Sequence, residues 1–240
     1  LRGKSQTRSG SPLSRAGFVG LGSMGWHMAG HLARKNLLAA VWNRSADKSL
    51  KFADEFSVRA AKASADLWAD CDTVILCVTA DAQVLEMVNT LSTPAARGKL
   101  VIDTSTVARE TAIEAAARLK KIGARFLDAP ITGGTKGAKH AKLTFMVGGE
   151  EKDANEAAPL FNAMGARFLH MGPHGAGQAT KAVNQVMCAG INHAVTEGLA
   201  FAEALGLPLD PALHFPRSGA ACALLLQNRP PFILQAQPPP

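Results

Sequence analysis

The chain has 240 residues, enough for one large domain or one and a half, and at 47% hydrophobic and 19% charged it is composed like a globular protein. No uninterrupted apolar run approaches the ~20 residues of a membrane span, which excludes an integral helical membrane protein. The formal charge of +7 suggests nucleic acid only until its distribution is considered. Arg2, Lys4, Arg8 and Arg15 lie in an N-terminal stretch without an acidic residue; setting these four aside leaves +3, so nucleic-acid binding is not expected.

Residues 1–15 are rich in Ser, Arg and Gly, have no hydrophobic period, and read as a disordered tail. That composition is compatible with a transit-peptide remnant, which leaves open a cytoplasmic location and, alternatively, a mitochondrial or plastid one. From Ala16 strand and helix alternate: Ala16–Gly20 is the first strand and Ser23–Lys35 the first helix. Between them Gly20, Gly22 and Gly25 have the G-x-G-x-x-G spacing of a dinucleotide-binding turn. Gly20 makes the tight turn, Gly22 lets a pyrophosphate approach, and Gly25 lets the helix pack on the strand. Free N–H groups and the positive dipole end of the helix, across Leu21, Ser23 and Met24, would meet the phosphates.

Leu38–Trp42 is the second strand, followed by Asn43-Arg44-Ser45 and a short helix to about Phe56. An NAD enzyme usually places an acidic residue here, about twenty residues past the glycines, to hold the ribose 2′-hydroxyl. Asn43 takes that place. Without a carboxylate to repel it, a 2′-phosphate could pair with Arg44 beside Ser45, so NADP is expected over NAD. The plainer reading is a solvated arginine at a strand end.

Ser64–Ala69 reads as helical, and Asp72–Val78 is an apolar run suited to a central parallel strand; Cys77 and Val78 at its end join the expected cofactor contacts. Asp81–Thr90 is helix, Leu100–Asp103 strand, Arg109–Ile122 amphipathic helix and Ala124–Leu127 strand. Leu143–Val147, Glu150–Met164 and Arg167–Leu169 add strand, helix and strand. The fold class is α/β: a Rossmann-type doubly wound sheet over residues 16–172. Asp103-Thr104-Ser105-Thr106 follows a strand at the edge where open sheets bind ligands, although hydroxyls capping a turn is the plainer reading. Thr132 beside the paired Gly133 and Gly134 makes an anion pocket suited to a carboxylate.

Gly177–Gly206 lacks proline and repeats its apolar residues at helical spacing for about thirty residues, roughly 45 Å. It opens residues 173–240, read as a long interdomain helix and an incomplete all-α second domain. Lys181, Asn184 and Cys188 share one face of that helix. A surface lysine is the plain reading of Lys181. Cys71, Cys77, Cys188 and Cys222 have no C-x-x-C spacing and read as reduced thiols in a reducing compartment. His27 and His31 lack the glutamate of a zincin, so no metal site is expected.

Four segments together resemble the β-hydroxyacid dehydrogenases: Phe18-Val19-Gly20-Leu21-Gly22-x-Met24-Gly25, Asp103-Thr104-Ser105-Thr106, Asp128-Ala129-Pro130-Ile131-Thr132-Gly133-Gly134, and Gly177-x-x-x-Lys181-x-x-Asn184. Thr132 stands where Ser is usual and Ala141 where Gly is usual. The resemblance spans about Ala16 to Leu209. It implies an NADP-linked oxidoreductase that interconverts a short 3-hydroxy acid and the matching semialdehyde or keto acid. Ser105, Thr132, Gly133 and Gly134 would hold a small carboxylic-acid substrate, and Thr106 would lie near the nicotinamide ribose. Lys181 would be the catalytic acid/base and Asn184 would order it and the substrate. Near a positive nicotinamide the lysine's pKa would fall toward neutrality.

Two alternatives stay open. A 6-phosphogluconate dehydrogenase shares the turn, loop and helix but is much longer; a cofactor-binding scaffold without turnover would typically have lost Lys181. After Pro208 the resemblance weakens. Gly219 to Arg229 matches the family only in part, and the proline-rich end lacks the helices that carry a second lysine. A truncated or alternatively ended form is therefore expected, with weak or absent catalysis. Val183, Met187, Ile191 and Leu199 would be partly exposed or covered in a homo-oligomer.

Overall fold

The computed structural model describes residues 15–209. The expected disordered tail, but for its last residue, and the chain beyond Leu209, including Cys222 and the Gly219–Arg229 segment, lie outside the described residues.

Six parallel strands form the first part of one sheet: β1 (Ala16–Val19), β2 (Leu38–Trp42), β3 (Arg59–Ala60), β4 (Thr73–Leu76), β5 (Leu100–Asp103) and β6 (Arg125–Asp128). They lie in the order β3-β2-β1-β4-β5-β6, so the chain winds outward in both directions from the β1–β4 pair. That is the switch point at which doubly wound sheets bind ligands. β1, β4 and β5 are buried at every position, as strands covered on both faces must be.

The covering helices are α1 (Gly25–Arg34), α2 (Ala46–Phe56), α3 (Asp81–Leu91) and α4 (Arg109–Lys121). One core, which includes Phe18, Met28, Phe52, Phe145 and Phe161, covers one face of the sheet. A second, with Val74, Leu76, Val88, Val101 and Leu119, covers the other.

Past β6 come β7 (Ile131–Thr132), α5 (Gly134–Lys139), β8 (Leu143–Gly149), α6 (Glu151–Glu156), α7 (Ala158–Met164), β9 (Gly165–Gly172) and α8 (Ala176–Ala204). Here the sheet reverses. β8 runs antiparallel to β6 through two residue pairs, Leu127 with Gly149 and Asp128 with Gly148; β7 is antiparallel and β9 parallel to β8.

Ser64–Ala69 is helical over the expected residues, in the 3-10 form. Other details differ from the sequence reading. The single helix expected over Glu150–Met164 is two, α6 and α7, divided at Ala157. Pro159 lies in the first turn of α7, where its missing N–H is harmless; inside one long helix it would remove a hydrogen bond and clash. The strand expected at Arg167–Leu169 is eight residues long, Gly165–Gly172.

The chain divides into two compact units whose boundary falls inside α8, between Lys181 and Ala182. In the described part of the second, Val183, Val186, Met187, Ile191 and Phe201 are exposed, Leu199 is partly buried and Ala202 is buried. Among the described residues no helix is long and apolar enough to cross a membrane, and no cluster of His, Cys, Asp or Glu could hold a metal ion.

Candidate functional site

The turn between β1 and α1 is held by sterics and by one side chain. Gly20 has φ +95°, and a Cβ on it would strike the Cys77 carbonyl oxygen. A Cβ on Gly25 would strike the carbonyl oxygen of Gly20, so α1 can start this close to β1 only on glycine. Gly22 is the opposite case: it is exposed, and a Cβ there would meet nothing within 4 Å. Two of the three glycines serve the fold, and the third keeps backbone open to a ligand.

The open side of this turn forms one wall of a cavity of about 460 Å³ at the switch point. Gly20, Gly22, Asn43, Arg44, Ser45, Cys77 and Val78 of the expected cofactor set line it, with Val19, Trp42, Lys48, Thr79, Gln83, Glu86 and Met87. Of the rest of that set, Leu21 is buried, Ser23 and Thr106 are exposed and Met24 is half-buried. Cys77 is a neutral wall here, because burial pushes its thiol up to about 11. Cys71 and Cys188 are also free thiols.

Asn43 occupies the expected acidic position, but its amide is engaged with the protein. Oδ1 accepts the Leu21 N–H at 2.9 Å and Nδ2 donates to the Ser45 carbonyl at 3.1 Å, which ties the glycine turn to the end of β2. Arg44, Ser45 and Lys48 line the cavity exposed at this corner, and Asp47 between them is exposed too. Sequence reading missed Lys48; its signal is a cation in the first turn of α2, three residues past Ser45. Open glycine backbone, two cations beside a hydroxyl, and an apolar wall of Val19, Val78 and Met87 fit a phosphorylated nucleotide, with Glu86 the one carboxylate among the lining residues.

The ends of β5 and β6 carry the second half of the site. Ser105, buried, accepts the Val78 N–H on its hydroxyl at 2.9 Å, and the same hydroxyl acts on the neighbouring Asp103 carboxyl. Thr104 donates its hydroxyl to the Leu76 carbonyl at 2.7 Å. The two buried aspartates Asp103 and Asp128 are paired across β5 and β6. Burial raises both carboxyls, Asp103 to about 6.

Asp128 seats α8. Oδ1 accepts the Gly175 N–H at 2.8 Å and Oδ2 the Gln178 N–H at 3.0 Å. These are the N-terminal donors that a helix leaves without internal partners, so a side chain from β6 caps α8 from outside. The seat is tight: a Cβ on Gly177 would strike the Met146 carbonyl oxygen, and one on Gly148 would come within 2.6 Å of Asp128 Oδ1. Lys181, one turn further along α8, is 8% exposed. Sequence reading quoted Asp128 only as a letter of its motif and gave Gln178 no role.

Thr132 ends β7, half-buried, with Gly133 at φ +127° and Gly134 at φ +60° behind it; a Cβ on Gly134 would meet nothing within 4 Å. Asn184, beyond the unit boundary, has its amide nitrogen 3.7 Å from Cys188 Sγ on the same helix.

A switch-point cavity at a glycine turn, with a lysine helix seated at the ends of the neighbouring strands, defines a dinucleotide-binding α/β protein. The family model described as the NAD binding domain of 6-phosphogluconate dehydrogenase matches residues 15–172, and that for the NAD-binding region of NADP-dependent 3-hydroxyisobutyrate dehydrogenase matches 175–240. A probable mitochondrial 3-hydroxyisobutyrate dehydrogenase of Dictyostelium discoideum is 32% identical over 235 residues, 96% of this chain and 73% of that protein. The NAD-dependent L-serine dehydrogenase of Pseudomonas aeruginosa is 34% identical over 233 residues, 94% of this chain and 77% of that protein. Among solved structures, Mycobacterium tuberculosis 3-hydroxyisobutyrate dehydrogenase with L-serine has a TM-score of 0.82 at 29% identity, covering 90% of this chain and 74% of that one. The chain belongs to the β-hydroxyacid dehydrogenases, a family of NAD(P)-dependent oxidoreductases.

Proposed function

We propose that this chain is an NADP-linked dehydrogenase that interconverts a short 3-hydroxy acid and the corresponding semialdehyde or keto acid, with Lys181 as general acid/base. The observation that carries this reading is the buried position of Lys181 on a helix whose first turn is seated on Asp128, at the strand ends where ligands bind. Bound NADP would supply the hydride acceptor and, reduced, the hydride donor. Lys181 takes the hydroxyl proton during oxidation and returns it during reduction. Asn184, three residues on along α8, orders that ammonium and the substrate.

The substrate carboxylate lies with the Thr132 hydroxyl, the Gly133 and Gly134 backbone and the Ser105 side chain. Arg44, Ser45 and Lys48 favour a 2′-phosphate, since two cations and a hydroxyl line this corner and its one amide is held within the protein. Association with a second copy through the exposed stripe Val183–Val186–Met187 would shield apolar surface.

The test is a screen of short 3-hydroxy acids and aldehyde acids with both cofactors, followed by Lys181→Ala on any substrate found. The expected loss in kcat is about 10²- to 10⁴-fold, with NADPH affinity kept within about threefold. A variant that keeps most of its activity would refute the role given to Lys181.

A further inference from the structure

Gln178 is 2% exposed and lies three residues before Lys181, but the proton transfer assigned above does not use it. Its side chain makes two hydrogen bonds to one loop. Nε2 donates to the Ser105 carbonyl at 2.8 Å, and Oε1 accepts the Val107 N–H at 3.2 Å. The amide therefore grips the backbone on both sides of Thr106, matching one donor and one acceptor. Its own N–H is the one held by Asp128 Oδ2. Ser105 in turn holds the Val78 N–H at the cofactor cavity. A continuous chain thus runs from the cavity wall through the Ser105–Val107 loop and Gln178 to the turn of α8 that carries Lys181.

We infer that Gln178 is a positioning residue: its amide sets the height and rotation of α8 against the Ser105–Val107 loop, and so places Lys181 relative to the groups that hold substrate and cofactor. The inference rests on the reading of Lys181 as acid/base. Only a neutral side chain that presents a donor and an acceptor in one plane can make both contacts. A carboxylate would set negative charge against the Ser105 carbonyl. A protonated carboxyl has the geometry of the amide and can make both bonds again. The ionisable groups nearby are Asp128, bonded to the Gln178 backbone N–H, Asp103 one strand over, Lys181 on the same helix, His174, whose charge acts on Asp128, Arg109 against Gly175, and Asp81 of α3, which accepts the Ala108 N–H just past the loop. Burial and the aspartates would raise a carboxyl at position 178 against the opposing charge of Lys181, bringing its protonation toward an accessible pH.

The experiment compares wild type, Gln178→Ala and Gln178→Glu with NADPH and the substrate found above. Gln178→Ala should lower kcat about 10- to 100-fold, because a small misplacement of a catalytic group has an effect of that size, while NADPH affinity stays within about twofold. Gln178→Glu should match Gln178→Ala at about pH 8. Relative to wild type it should recover at least about fivefold as the pH falls to about 5.5, while the ratio of Gln178→Ala to wild type stays flat. A packing role would give both variants a pH-independent loss, and that result overturns the inference.

Amide hydrogen exchange over residues 103–110 gives a readout without turnover. Exchange at Val107 should speed up at least tenfold in Gln178→Ala and, at about pH 8, in Gln178→Glu. Unchanged exchange overturns the clamp whether or not the protein is active. Failure of the wild type to turn over any hydroxy acid counts against the proposed function alone.

Discussion

Asp103 ends β5 completely buried, with Oδ1 accepting the Ser105 N–H at 3.0 Å and Oδ2 without a hydrogen-bond partner. Burial is the largest cause of its raised pKa, from 3.8 to about 6, with Ser105 opposing the rise and the charge of Asp128 adding to it. A carboxyl whose folded pKa exceeds its unfolded value holds its proton more tightly in the native state. It therefore stabilises the fold fully below about pH 4, and that contribution is lost as the pH rises through about 6. The gap corresponds to about 3 kcal/mol at 1.36 kcal/mol per unit, with no discount for exposure because the group has none.

Asp103→Asn keeps an oxygen for the Ser105 N–H and removes the titration. Urea unfolding of both proteins between about pH 4 and pH 7 should show wild type losing about 3 kcal/mol relative to the variant across that window. Any constant offset between the two belongs to the new amide group and does not affect the slope. A difference that stays level with pH would mean that Asp103 is hydrated or paired in solution, and the reasoning from its burial would fail.

Two glycines of the turn should separate fold from binding. Gly25→Ala meets the Gly20 carbonyl and should lower both Tm, by several degrees, and NADPH affinity, whereas Gly22→Ala enters open space and should keep its Tm within about 2 °C while losing at least tenfold in NADPH affinity. Calorimetry and fluorescence titration check the pair, and equal behaviour of the two variants would refute the division of labour. Arg44→Ala combined with Lys48→Ala should weaken NADPH at least tenfold, about 1.4 kcal/mol, and leave NADH within twofold; an equal loss of both cofactors would refute their role at the 2′-phosphate.

The parallel half of the sheet was legible because its central strands are buried on both faces and read as unbroken apolar runs, as Thr73-Val74-Ile75-Leu76 does. β3 and β7, two residues each, offer no period to read. Pro159 marks the break between α6 and α7 in plain letters, but a proline in a first turn and one in a helix interior look alike without the helix start. The position of Asn43 was legible and its bonding was not, since its partner Leu21 lies 22 residues earlier. The seat of α8 was beyond any local pattern. Asp128 caps a helix start 47 residues downstream at Gly175, a pairing that depends on β8 returning antiparallel beside β6.

α1 begins at the glycine turn, and near its other end His31 Nε2 donates to the carbonyl oxygens of Ala138 and Lys139 at 2.9 and 3.2 Å, where α5 ends. Lys35, just past α1, reaches the Asn162 carbonyl of α7 at 3.3 Å. α5 itself starts at Gly134, in the paired-glycine loop. One ten-residue rod thus fastens the dinucleotide turn to the loop assigned to the substrate, across a sheet whose two halves share only two residue pairs. The spacing between those loops is therefore tied to the length of α1. Heat or denaturant that frees α1 should release both loops together, which amide exchange in the two loops would show as a common onset.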